Sequence, residues 1–284
     1  MRLLILGGSG MLGHQLWRGL HERHEVWVTL RRPFTDFAQH QLFDPARSIQ
    51  VDDITDDAAL GQALGQAQPE AVINCVGLIK QHNQASDKAL MRRINAEFPH
   101  RLAKQCAALG ARLIHFSTDC VFAGTKGNYT EADPADATDI YGQTKRVGEV
   151  TEPHCVTIRS SVIGHEIDSR LALVGWFLSQ QRRTIRGFTR AIYSGLTTLE
   201  MARVVERILI DHPTLSGLWQ VASEPISKFD LLKLFQAELS WEGTIEPDDS
   251  FVCDRSLDGA RFNQETSYRP PSWEAMITEL AEAE

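Results

Sequence analysis

The chain has 284 residues, 43% hydrophobic and 23% charged, with a net charge of -8 at neutral pH. That length can bury a large core and suits a cofactor-sized domain with a smaller second lobe, while the interspersed charges form no basic stripe that would recommend a nucleic-acid partner. No apolar run reaches membrane length, no charged-then-apolar leader precedes the first strand, and the scattered Cys75, Cys106, Cys120, Cys155 and Cys253 suggest neither a disulfide framework nor a zinc site. A cytoplasmic protein with no membrane partner and no metal ligands is the expectation.

In chain order, the run Leu3 to Leu6 reads as a strand that leads directly into Gly7-Gly8-Ser9-Gly10-Met11-Leu12-Gly13. The glycines satisfy G-x-G-x-x-G from Gly8 and G-x-x-G-x-x-G from Gly7. Such a loop lets a pyrophosphate approach bare backbone and rest on the N–H groups that open the next helix. An ordinary glycine turn is the alternative, but the amphipathic stretch Met11, Leu12, Leu16 and Leu20 supplies the context a dinucleotide loop needs. The next strand, Glu25 to Leu30, ends in Arg31-Arg32. An acidic residue there selects NAD through the ribose 2′-hydroxyl, whereas arginine accommodates a 2′-phosphate. NADP(H) is therefore the preferred cofactor, with NAD(H) still open and solvent-facing charges the plainer reading of the arginines.

Strands follow at Ile49 to Val51 and Ala71 to Cys75, then a helix from Ala89 to Leu109 ended by Gly110, a strand from Arg112 to Ser117, a helix from Ile140 to Val150, and a strand from Cys155 to Ile158. This alternation predicts an α/β fold, a Rossmann-type doubly wound parallel sheet over residues 1–164. Beyond Gly164 the pattern breaks. Thr197 and Ser227 read as helix caps, Gly217 to Ala222 as a strand, and residues 165–284 as a substrate-binding lobe with part of about 190–222 packing back on the first domain.

The helix from Ile140 carries Tyr141 and Lys145, one turn apart on one face. A phenol titrates near pH 10, so it exchanges a proton at neutral pH only with help, and a neighbouring ammonium supplies it. Such a pair also arises on any solvated helix. Similarly, Ser117-Thr118-Asp119 reads as a cap or turn unless its place after an apolar strand gives it more to do.

Taken together, the glycine loop, Ser117-Thr118-Asp119, and Tyr141-Gly142-x-x-Lys145 with Gly148-Glu149 resemble an extended short-chain dehydrogenase/reductase. Within that superfamily the chain is most similar to dTDP-4-dehydrorhamnose reductases and related sugar-nucleotide 4-ketoreductases, through Ser117 to Gly124, Tyr129 to Asp133 and Tyr193 to Thr198. The resemblance implies reduction of a sugar-nucleotide ketone in polysaccharide or deoxysugar biosynthesis. Tyr141 would give the proton, Lys145 would hold the nicotinamide ribose and lower the phenol pKa, and Thr118 would donate to the carbonyl oxygen. Asp119 would accept from a sugar hydroxyl. Ser9, Gly10, Met11, Leu12, Asp53, Ile54, Cys75, Val76 and Gly77 would line the dinucleotide site.

Val162 stands where the rhamnose-forming enzymes usually carry a sugar-stacking tryptophan, and Leu78 to His82 also departs from their pattern, so a different or broader sugar is expected. Arg182, Arg183, Arg186 and Arg190 read either as diphosphate ligands or as a solvated face. An epimerase, a non-catalytic NADP-binding regulatory subunit, and a homodimer remain open, whereas Cys120 at the position of a dehydratase glutamate counts against elimination.

Overall fold

Leu3, Leu4, Ile5 and Leu6 are all inaccessible to solvent, as a strand covered on both faces requires. They belong to β1 (Arg2–Leu6) of a seven-stranded sheet in a computed structural model that describes residues 1–80 and 87–283. The chain continues through β2 (Glu25–Leu30), β3 (Ser48–Gln50), β4 (Ala71–Asn74), β5 (Arg112–Phe116) and β6 (Cys155–Arg159). Short strands β7 (Val162–Ile163), β8 (Thr184–Phe188), β9 (Ala191–Tyr193) and β10 (Leu196–Thr197) precede β11 (Gly217–Gln220), with β12 (Ile226–Ser227), β13 (Thr244–Asp248) and β14 (Cys253–Asp254) after it.

The large sheet runs β11-β6-β5-β4-β1-β2-β3, and every pair in it is parallel. The strand order reverses between β1 and β4, which opens a crevice at their carboxyl ends. Alternate side chains feed two cores. Leu3 and Ile5 pack with Leu16, Ile114 and Met201 on one face; Leu4 and Leu6 pack with Leu60, Leu64, Phe98 and Leu102 on the other.

Helices α1 (Met11–Leu20), α2 (Asp57–Ala67), α3 (Lys88–Arg92), α4 (Phe98–Leu109) and α5 (Ile140–Val147) belong to the first half, and α6 (Leu173–Leu178), α7 (Thr198–Ile210), α8 (Lys228–Glu238), α9 (Ala260–Thr266) and α10 (Trp273–Glu282) to the second. α7 packs against α1, so the second half of the chain covers one face of the first. The Thr197 hydroxyl caps α7 and that of Ser227 caps α8. Three smaller sheets, β12-β9-β14, β13-β8 and β10-β7, build the remainder.

Two helices differ from their sequence pattern. The expected helix from Ala89 to Leu109 is split by a π-helical turn, Arg93–Glu97, between α3 and α4. The wider turn presents Asn95 inward, where its side chain both donates to and accepts from the Leu78 backbone at 2.9 Å. The helix expected to reach Val150 stops at Val147 because the chain at Gly148 is pressed against that same turn; a Cβ there would lie 1.9 Å from the Asn95 carbonyl oxygen. Strand ends shift by one or two residues, with β4 stopping at Asn74, β5 at Phe116 and β11 at Gln220. Among the described residues no helix is long and apolar enough to cross a membrane, and no His/Cys/Asp/Glu group is placed to hold a metal.

Candidate active site

The loop after β1 is shaped by its glycines. Gly7 has φ +78°, and a Cβ on Gly13 would lie 2.2 Å from the Gly7 carbonyl oxygen, so α1 packs against the loop at a distance only glycine permits. Gly10 opens α1 without any side-chain cap, leaving the first-turn N–H groups directed at the crevice. Here lies a cavity of about 550 Å³, lined by Ser9, Gly10, Met11 and Leu12 from this loop, Cys75, Val76 and Gly77 from the end of β4, and Tyr141, Lys145 and Val162 from the far wall. An adjoining cavity of about 280 Å³ is lined by Gly7, Asp53 and Ile54 and shares Ser9, Gly10, Arg31, Cys75, Val76 and Gly77 with the first. An extended cleft across the crevice, floored by bare backbone and an uncapped helix N-terminus, fits a dinucleotide with its pyrophosphate on α1.

Asp53 keeps its carboxylate on Thr55, at 2.6 Å to the hydroxyl, and 3.1 Å from Arg93. The Thr55 hydrogen bond lowers its pKa. The two arginines after β2 are not equivalent. Arg31 lines both cavities and has no ion-pair partner among the described residues. Arg32 pairs with Asp168, 136 residues away in the chain, and lies over the Phe37 ring at 4.6 Å.

On the opposite wall, α5 starts at the Asp139 cap and places Tyr141 and Lys145 at the mouth of the crevice. The Lys145 ammonium donates to the Phe116 carbonyl at 2.5 Å, and burial pushes its pKa down to about 8, with Glu149 and Cys75 acting in the other direction. Burial likewise raises the Tyr141 pKa, reinforced by Cys120, Asp119 and Asp139 and opposed by the Thr118 hydroxyl. At physiological pH the phenol is therefore a fully protonated acid.

Thr118 and Asp119 sit deeper, 6% and 7% exposed, behind the cavity wall. The Thr118 hydroxyl donates to the Asp119 carboxylate at 3.0 Å and accepts from the Cys120 N–H at 3.1 Å, so it also caps the short turn that follows β5. Glu149 and Arg159 form a buried bidentate ion pair at 2.7 and 2.8 Å, and the Ser117 hydroxyl donates to the same carboxylate at 2.7 Å. Sequence reasoning placed Ser117 and Glu149 in motifs but missed Arg159, which lies just past the expected strand Cys155 to Ile158 and gives no local signal of a buried partner. It also missed Glu166, Asp168 and Ser169 on the cleft wall, which carry no local signal. Arg182 and Arg186 are 82% and 74% exposed, in ion pairs with Glu242 and Asp248, which favours the solvated-face reading. Gln81 and His82 lie outside the described residues.

A dTDP-4-dehydrorhamnose reductase of Streptomyces griseus is 36% identical over 149 residues, a match covering 52% of this chain and 43% of that relative. The crystal structure of a hypothetical dTDP-4-dehydrorhamnose reductase from Sulfolobus tokodaii superposes with a TM-score of 0.80 at 25% identity, covering 98% of this chain and 100% of that one. The fold is also that of a Bacillus anthracis dTDP-4-dehydrorhamnose reductase solved in complex with NADP, with a TM-score of 0.81 at 20% identity over 100% and 99% of the two chains. The family model described as RmlD substrate binding domain matches residues 1–230, from the glycine loop through the Tyr141 helix to β11 and into α8, and the chain belongs to that family.

Proposed function

We propose that the protein reduces the 4-keto group of a nucleoside-diphosphate deoxysugar with NADPH. The observation that carries this reading is the placement of a protonated, half-buried phenol and a desolvated ammonium on one wall of a dinucleotide-shaped cleft, with the uncapped N-terminus of α1 on the other. The names of the matched relatives point to the same substrate class, and one structural neighbour is described with NADP.

A bound nicotinamide supplies hydride to the carbonyl carbon. The chain's own residues do the rest. Tyr141 gives its proton to the oxygen as negative charge develops there. Lys145, released from the Phe116 carbonyl, holds the ribose hydroxyls, and its charge then lies near enough to stabilise the tyrosinate. The Thr118 hydroxyl, turned from Asp119 toward the substrate, donates to the same oxygen. Arg31 is the free guanidinium for a 2′-phosphate. Residues from 165 onward close over the sugar nucleotide, and Val162 leaves the sugar without an aromatic platform, in keeping with a substrate other or broader than the rhamnose precursor.

The test is NADPH oxidation against a panel of dTDP- and UDP-linked 4-keto-6-deoxysugars. Stoichiometric oxidation with formation of a 4-hydroxyl supports the reading. A tightly held cofactor that cycles without net oxidation marks an epimerase, and tight NADPH binding with no turnover marks a binding subunit.

A further inference from the structure

Around Cys120 and Asp119, on the turn that follows Thr118, lies a polar cluster that no step above uses. β9 is the central strand of the sheet β12-β9-β14, and Ile192 is paired with Ser227 on one side and Asp254 on the other. The residues that directly follow those two are Lys228 and Arg255. The Lys228 ammonium lies 4.0 Å over the ring of Tyr193, the next residue of β9. Arg255 donates from Nε to the Phe122 carbonyl at 2.8 Å and lies 3.7 Å from the Cys120 sulfur through Nη1. Neither cation has an ion-pair partner among the described residues.

The carboxylates nearby are otherwise engaged. Asp230 accepts from Ser227, Asp254 from Ser256, Asp139 from Lys80, and Asp119 from Thr118. The Tyr193 hydroxyl is buried, in a residue 5% exposed, with no hydrogen-bond partner. The Cys120 thiol is pushed up to about 12 by burial and stays uncharged. Lys228 is moreover the first residue of α8, the end of a helix where a positive charge is least favourable. An orphan buried hydroxyl and two cations without ion-pair partners, among carboxylates that already accept from other donors, leave a place that asks for an anionic acceptor.

We propose that Lys228, Arg255 and the Tyr193 hydroxyl form a subsite that grips an anionic oxygen group of the substrate, either its diphosphate or a carboxylate on its sugar, next to the acid Tyr141. The proposal rests on the reductase reading for the identity of the molecule that brings the anion. The cations would then fix the sugar nucleotide's register, so that one carbonyl meets Tyr141, a role that no aromatic residue fills at Val162.

The experiment uses the full-length protein loaded with NADPH. Michaelis parameters are measured for a dTDP- or UDP-linked 4-keto sugar, and calorimetry gives the affinities of dTDP and UDP, of thymidine and uridine, and of UDP-glucuronate. Lys228→Met should raise KM and weaken anionic ligands by about tenfold or more, while the nucleosides and NADPH bind as before. Lys228→Arg should restore most of the loss, and Arg255→Lys, which keeps the charge but not the forked guanidinium, should retain more anion affinity than Arg255→Met. Weakened dTDP and UDP assign the diphosphate; unchanged dTDP and UDP with weakened UDP-glucuronate assign the carboxylate. Unchanged KM and unchanged anion affinities in folded Lys228→Met and Arg255→Met overturn the subsite. Charge-dependent binding without turnover on any 4-keto sugar keeps the subsite and removes the reductase, and turnover with a charge-independent KM does the reverse.

Discussion

Tyr141 and Lys145 are both desolvated, and burial acts on them in opposite senses: it keeps the phenol protonated and lowers the ammonium to about 8. Tyr141→Phe keeps the ring and removes the acid, so turnover should fall by roughly 10²- to 10⁴-fold with NADPH affinity nearly unchanged, as stopped-flow and equilibrium fluorescence would read. Near-normal turnover would remove Tyr141 from the reaction. Lys145 is a different matter because its depressed pKa is also a cost to folding. Moving from 10.5 to about 8 corresponds to about 3 kcal/mol, fully present below pH 8 and relieved as pH rises toward 10.5, where the unfolded chain also loses the proton. Lys145→Met should therefore weaken turnover and cofactor binding yet be more stable than wild type to urea at pH 7. The stability difference should shrink by pH 10; a gap that does not change with pH would contradict a desolvated ammonium. For the cofactor, Arg31→Ala should raise KM for NADPH and erode its preference over NADH, while Arg32→Ala should do less because Asp168 already holds that guanidinium. Equal losses would put both arginines on the 2′-phosphate.

Among the elements, the π-helical turn Arg93–Glu97 and the start of the loop after α5 lock together through Asn95 and Gly148. A Cβ at Gly148 would meet backbone rather than a flexible side chain, so Gly148→Ala should cost about 2 kcal/mol or more and lower Tm by several degrees. Because α5 carries Tyr141 and Lys145, the same variant should lose activity beyond what its stability explains, and a folded, fully active variant would show that the contact merely closes the helix. This device was illegible in the sequence: the run from Ala89 to Leu109 has one continuous helical pattern, and the extra residue in a π turn leaves no trace in composition. The first half of the site was legible for the opposite reason. Gly7 to Gly13, Ser117 to Asp119, and Tyr141 with Lys145 are local motifs whose spacing is set by one turn or one helix, and the crevice collects them at adjacent strand ends. Lys228 opens α8, Tyr193 ends β9 and Arg255 follows β14, while Arg32 and Asp168 come from distant loops, so only the folded chain brings them together.

At the scale of the molecule, the two halves of the chain share the large sheet and one of its two cores. β11 from the second half completes the sheet beside β6, and α7 covers α1. A fragment of residues 1–164 should then fail to give a soluble, cooperatively melting protein, since it would expose the edge of β6 and the apolar face of α1. A sharp thermal transition in that fragment, with NADPH binding, would make the first half an autonomous domain. Completion of the sheet by a late strand has a further consequence, for the order of events during synthesis. At ~5–20 residues per second, Gly217 to Gln220 leave the ribosome roughly 3–12 seconds after β6. Through that interval the nascent chain carries an open strand edge next to the incipient crevice, a template for pairing with a neighbouring chain on the same message. The large sheet is thus completed by a non-local step, and the β6 edge is expected to stay unpaired in the growing chain until β11 docks on it.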